Sequence, residues 1–501
     1  MEKEELKKTN DFHETYIDRW TYWDSAYKGG EDFIELVLRQ NERESVGNFK
    51  ARKDEAICLN YSAKIVDMYN FYLTEKPAIR ELGKLSNERQ WQMFEKDCDL
   101  YSTNFDIFMN EAQRTSSIFG AVGILVDKPP GDGTTETKLD EINTGIYPYC
   151  AIYTLPNVRD WTRTLDERTG RQNLTYLKLT NYDGKYFLWW PDHWEVWEIP
   201  EDERGTELDP VLVREGENIL GEIPFLWMIN VRSPSDPYLG LSDIREIARI
   251  QASIVNDFSH GNEVIKYAAF PMLLEPWESE NDDTVGVRAV KGFDPENPQA
   301  KPEWLEAAVQ EPISAVLDWV ETKVTEIFEM AHLAGVHATE KSREARSGVS
   351  LRYEFQMMSS ILSKKNDNMT EAELQIIKYW LKWQNMSDLF PNVKISRSRE
   401  FSVDDLSQSI DAMLKAQPEI YSMTFQMLLQ QQVAKRVLPD MTETERNEVL
   451  DEIAANLAPK TIDEFIGALK ESKTRKRGGV TEIRDMEGQF RDKEPDDISE
   501  D

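Results

Sequence analysis

The sequence predicts a mainly helical α+β protein of several domains, on three observations. Long runs carry apolar residues at helical spacing, most clearly Ile313, Val316, Leu317, Val320, Val324, Ile327 and Phe328. Between about 118 and 231 the pattern changes to short β-branched and aromatic runs, punctuated by turns such as Asp183-Gly184. A chain of 501 residues also exceeds what one core serves, and implies about two to four domains.

In chain order, residues 1–115 read as helices. Trp20, Trp23, Ile34, Leu36 and Val37 lie in early amphipathic pieces. Ile57, Tyr61, Ile65, Met68, Tyr69 and Tyr72 form a stronger pattern, halted by Pro77. A run over about 91–116 puts Phe94, Cys98, Tyr101, Phe105, Phe108 and Met109 on one side, as core-packing helices do. Residues 118–126 predict a strand and 129–133 an exposed loop. Further strands are expected at 150–154, 172–181, 185–190, 195–199 and 223–231, an antiparallel subdomain set among helical parts. Its Trp189, Trp190, Trp194 and Trp197 fit alternating burial in a sheet, with sugar stacking as the alternative.

The stretch 242–362 organises the rest. A helix is expected over 242–266, with Ile244, Ile247, Gln251, Ile254, Val255 and Phe258 on one stripe. A Pro- and Gly-punctuated insert, 267–309, leads to a second helix over 310–332, with Pro312 in its first turn and Gly335 past its end. In the insert, strands are expected at 270–274 and 285–290, around the acidic stretch 278–283. The polar loop 333–347 follows, and a third helix opens at Ser347-Gly348-Val349-Ser350-Leu351-Arg352. Thr370-Glu371-Ala372-Glu373 reads as a capping box opening another helix. Residues 393–401 suit a strand, 402–470 more helices, and 471–501 a disordered tail.

Composition narrows the function classes. The net charge is −33, and such a surface repels phosphates, which argues against sequence-specific DNA binding. Passive enclosure of DNA is different, because an acidic wall lets a polyanion slide without sticking. Cys58, Cys98 and Cys150 are odd in number and widely spaced, as reduced core thiols are. Residues 1–5 are charged with no apolar stretch behind them, so no signal peptide is expected, and no apolar run reaches the ~18 residues that span a bilayer.

The sequence holds no GxxxxGK[ST], HExxH or GxSxG. His332 and His337 stand five apart across a helix end, a poor spacing for metal ligands. No catalytic centre, metal or cofactor is therefore expected. The loop 333–347 is the remaining candidate, since it gathers His337, Lys341, Arg343 and Arg346 in a chain otherwise rich in acid. In the insert, Trp277 and Trp304 suit interface anchors or core, beside Glu278, Glu280, Asp282 and Asp283.

Over nearly its whole length the chain resembles the portal proteins of tailed double-stranded DNA bacteriophages, the head-to-tail connectors. The resemblance rests on the order of elements and on local phrases. These are Tyr153-Thr154-Leu155-Pro156-Asn157-Val158-Arg159-Asp160-Trp161, the approach Pro234 to Leu241 into Ser242-Asp243-Ile244, and Ser347 to Arg352. It implies a ring-forming architecture with wing, stem, clip and crown regions. The wing would be 1–241, the stem helices 242–266 and 310–332, and the clip 267–309. The tunnel loop would be 333–347, a long wing helix with its return 348–401, and the crown 402–470. It further implies a ring of twelve at one capsid vertex of the virion, assembled in the host cytoplasm with no membrane involved. Double-stranded DNA would pass through without sequence specificity, past His337, Lys341, Arg343 and Arg346. The clip, with Trp277, Glu278, Glu280, Asp282, Asp283 and Trp304, would meet the terminase large subunit and a head-tail adaptor, and the ring would meet major capsid and scaffolding proteins. A glycan-active enzyme using the Trp-rich region, and another ring-forming minor capsid or adaptor subunit, are the alternatives.

Overall fold

The computed structural model describes residues 1–129, 137–181, 183–202, 204–233, 239–269, 272–276, 290–293, 303–305, 310–333, 348–399, 401, 448–449 and 451–452. Side chains are described over these residues apart from 267–312 and 348–355. The chain divides into two compact units, Met1–Phe401 and Ser402–Asp501. Of the second, the described residues 448–449 and 451–452 are helical. The rest of the helices expected over 402–470, and the tail 471–501, lie outside the described residues.

The first unit opens with helices α1 (Lys3–Lys7), α2 (Asp11–Lys28), α3 (Gly30–Val37), α4 (Val46–Asp54) and α5 (Tyr61–Thr74). Side-chain oxygens of Asn10, Ser45 and Asn60 accept from Phe12, Asn48 and Ala63 backbone N–H groups, so three of these helices begin where a capping residue stands. Strand β1 (Ile79–Glu81) pairs antiparallel with the chain at 394–396, a partnership no local pattern signals.

The run expected as one helix over 91–116 is two, α6 (Arg89–Lys96) and α7 (Phe105–Phe119). Between them Asp97 and Asp99 accept from the backbone N–H groups of Ser102, Tyr101 and Thr103, and Leu100 and Ser102 take positive φ. Short acidic side chains have outcompeted the helix for backbone partners. Ile118 and Phe119, expected in a strand, are the last turn of α7. The strand starts only after Gly120, whose φ of 93° closes the helix. A Cβ on Gly120 would lie 2.3 Å from the Gly240 carbonyl oxygen, so the chain entering the next helical section crosses here against bare backbone.

Strand β2 (Ala121–Asp127) is buried along nearly its whole length as the centre of a three-stranded antiparallel sheet. Its partners are β3 (Tyr149–Thr154) and, later in the chain, residues 225–229; helix α8 (Lys138–Thr144) precedes β3. Val122, Ile124 and Val126 pack with Trp91, Phe94 and Trp380 in the largest core. The second sheet is an antiparallel meander of β4 (Val158–Leu165), β5 (Gln172–Thr180), β6 (Tyr186–Trp189), β7 (His193–Glu198) and β8 (Val211–Glu217). Two of its strands, β4 and β8, were not expected. β8 is exposed at nearly every position and so carries no alternation to read. β9 (Phe225–Ile229) then returns the chain to the first sheet.

Helix α9 (Ile247–Ala269) starts five residues later than expected, because residues 243–246 form a separate turn tied down by Ser242 and Ser117. The insert contributes β10 (Met272–Pro276), with β11 (Val290–Phe293) parallel and β12 (Glu303–Leu305) antiparallel to it. Residues 285–289 of the second expected strand lie outside the described residues. Helix α10 (Gln310–Met330) runs back beside α9. Helix α11 (Gly348–Trp383) is continuous for 36 residues, which is about 54 Å at 1.5 Å per residue. The capping box expected at Thr370 is therefore mid-helix, and the Thr370 hydroxyl donates backward to the Asn366 carbonyl instead. Met358 and Leu362 join the core beneath α9 and α10, while Met369, Ile376, Ile377 and Trp380 join the core under β2. A final strand, β13 (Lys394–Ser396), is the partner of β1.

Candidate functional site

The helix pair α9 and α10 shows why its stripes have the residues they have. Ile244, Ile247, Ile254 and Val255 are buried, and so is Gln251, the polar member of the expected stripe. Its carboxamide accepts from the Ser62 N–H at 2.7 Å and donates to the Ala26 carbonyl at 3.0 Å, so it pins α9 to α2 and α5. On α10, Val320, Val324, Ile327 and Phe328 are buried, Ile313 and Val316 are half-buried, and Leu317 is 53% exposed. Burial thus fades along α10 toward the insert, and Ile265 on α9 is likewise 49% exposed. The two helices are rooted in the body at one end and project at the other. Lys323 stitches them together, donating to Ser253 Oγ at 2.7 Å and pairing with Asp257.

At the root lies a buried polar knot. Lys365 of α11 has no solvent exposure. Its Nζ pairs with Asp243 Oδ2 at 2.6 Å, donates to Asn230 Oδ1, and stands 5.2 Å from the Tyr69 ring centre. Asn230 Nδ2 donates to Asp243 Oδ1 at 2.9 Å and to the Leu241 carbonyl at 3.0 Å. The Asp243 N–H donates to the Ser117 carbonyl. Tyr69 Oη donates to the Ala331 carbonyl, where α10 ends. Burial lowers the Lys365 pKa from its ordinary value, with the Asp243 carboxylate acting the other way. One lysine therefore joins the long helix to the start of α9, and through Tyr69 to the end of α10. Sequence reasoning missed it, although its spacing in Met358, Leu362, Lys365, Met369 puts a cation on an apolar stripe.

On the flank of α9, the helix α2 and the chain at 36–42 enclose a groove of about 1240 Å³. Burial raises the pKa of Tyr22 in this groove, and the guanidinium groups of Arg249 and Arg39 act against that rise. The groove too was invisible in the sequence, since its walls come from separate stretches.

The residues singled out from the sequence stand mostly elsewhere. His337, Lys341, Arg343 and Arg346 lie outside the described residues, as do Trp277, Glu278, Glu280, Asp282 and Asp283; Trp304 lies in β12. The Trp-rich sheet spends its rings on packing. Trp189 is buried, Trp190 stacks on His193 at 4.4 Å, and Trp197 Nε1 donates to Glu195 at 2.7 Å. Trp194 fills the space a side chain on residue 216 would need, which accounts for Gly216. Cys98 and Cys150 are buried and Cys58 half-buried, all three as free thiols. Among the described residues no group of His, Cys, Asp and Glu has metal-binding geometry, and no helix is long and apolar enough to cross a membrane.

No protein-family model matches the sequence, and no curated protein matches it. Among solved structures, the chain overlaps a chain of the neck of an empty GTA particle computed with C6 symmetry. The identity is 10% and the TM-score 0.40, over 74% of this chain and 89% of that one. A chain of the neck of a native GTA particle computed with C12 symmetry matches at 10% identity and TM-score 0.39, over 78% and 89%. A chain of the virion of a native gene transfer agent particle matches at 9% identity and TM-score 0.40, over 82% of this chain and 98% of that one.

Proposed function

We propose that this chain is the subunit of a portal ring, a channel for double-stranded DNA at one vertex of a phage capsid. In this reading residues 1–241 form the wing, 242–266 and 310–332 the stem, and 267–309 the clip that docks terminase and a head-tail adaptor. Residues 333–347 form the loop facing DNA, 348–401 the long helix and its return, and 402–470 the crown.

The observation that carries the reading is the projecting pair. α9 and α10 are rooted together in the body, lose burial toward a three-stranded insert, and are followed by one long helix that spans both cores. Apolar residues left in water at the projecting end call for neighbours, and copies around an axis would supply them. Negative-stain electron microscopy of the purified chain tests this. Rings of about a dozen subunits with a central channel are expected, and a compact monomer at every concentration would overturn the proposal.

A further inference from the structure

The groove beside α9 carries a charge pattern that bears on how copies meet, an inference resting on the ring reading above. Arg19, Arg39, Arg245 and Arg249 all line it and all are exposed. Among the described residues none of the four makes an ion pair, in a chain with 92 acidic residues against 59 basic ones. Asp18, Glu42 and Glu246 stand in the same lining, so the groove holds one more cationic than acidic side chain, an excess that an acidic partner would meet. Tyr16, Trp23 and Leu36 add apolar surface, and Leu36 is 55% exposed.

Helix α10 offers the complement. Asp318, Glu326 and Glu329 are exposed on it, beside exposed Trp319 and Met330. At about 100° per residue, Asp318 and Glu329 fall within about 20° of each other and about 180° from the buried Ile327, so they mark the outward side. The only lysine of the helix, Lys323, is already taken by Asp257 within the chain.

We propose that the arginine-lined groove of one copy receives the acidic outward face of α10 from a neighbouring copy. Asp18, Glu42 and Glu246 also line the groove and would oppose a continuous row of phosphates. A helix face of mixed acidic and apolar residues suits this lining better. Groove and ridge are different surfaces of one chain, so the contact is heterologous and repeats from copy to copy.

Two full-length variants test it, Arg245→Glu/Arg249→Glu in the groove and Asp318→Arg/Glu329→Arg on the ridge, each checked for folding by circular dichroism. Each alone is expected to need about tenfold or more protein to assemble, read by sedimentation and microscopy. Their equimolar mixture is expected to recover assembly, because each reversed surface then meets its complement. Wild-type rings with both variants assembling normally would overturn this contact and leave the ring reading standing. Folded variants that fail alone and are not rescued by mixing would also overturn it. Loss of double-stranded DNA retention on groove reversal, with assembly unchanged, would overturn this contact and reassign the groove to nucleic acid. A wild-type chain that never assembles would sink both readings together.

Discussion

Lys365 is the most fully buried of the described lysines and arginines, and a fully buried ammonium is tolerable only while its partners stay in place. Lys365→Met leaves Asp243 buried beside Asn230 without its cation, and should cost about 3–5 kcal/mol in a denaturant titration. Adding Asp243→Asn should recover more than half of that loss, since the pair is then removed together. The contacts explain why the sequence did not yield this site: the stripe position of Lys365 is visible locally, but Asn230 and Asp243 are 135 and 122 residues away. Asp127 gives a pH test of the same kind. Burial at the end of β2 pushes its pKa up from 3.8 to about 6, against hydrogen bonds from the Lys128 N–H and the Tyr149 hydroxyl. Between those values the folded chain keeps a proton the unfolded chain has lost. This group's contribution is therefore full below pH ~4 and falls as pH rises through ~6. Asp127→Asn should then stabilise at pH 7 by about 1–2 kcal/mol, allowing for partial solvent exposure, and change little near pH 3.5. Equal effects at both pH values would refute the assignment.

At the scale of elements, caps divide the legible from the illegible. Asn104 Oδ1 accepts from the Ile107 N–H at 2.8 Å and opens α7, so Asn104→Ala should cost about 1 kcal/mol in thermal unfolding. Thr370 has the same kind of sequence signature, yet it lies within α11, and Thr370→Ala should change stability by less than about 0.5 kcal/mol. A capping box works only where the preceding residues are not helical, and the run from Met358 to Met369 holds neither Gly nor Pro to stop a helix. The same logic separates the strands. β2, β5 and β6 announce themselves through β-branched and aromatic runs, whereas exposed β8 is held by pairing with β7, which a local pattern does not carry. The bounds of helices α9 and α10 were legible to within five residues, because an apolar stripe is a property of the helix alone.

At the scale of the whole molecule, charge is the quantity that a ring would multiply. A net charge of −33 per copy would keep a passing duplex from adhering to the channel wall. Against that background Lys341, Arg343 and Arg346 would be the exception, three cations brought to the bore by every copy. Each phosphate they neutralise adds affinity that falls with salt, so full simultaneous engagement of the ring would stall the duplex. Staggered or partial contact would instead hold it lightly while it moves. Replacing all three by Gln should therefore leave ring assembly unchanged, since in the portal reading these residues would meet DNA and not neighbouring copies. Genome packaging or retention should fall, and the salt dependence of residual DNA binding should flatten. The two readouts separate the loop from the groove beside α9, where charge reversal is expected to disturb assembly first. Rings that package normally with all three charges removed would take the DNA-facing role away from the loop.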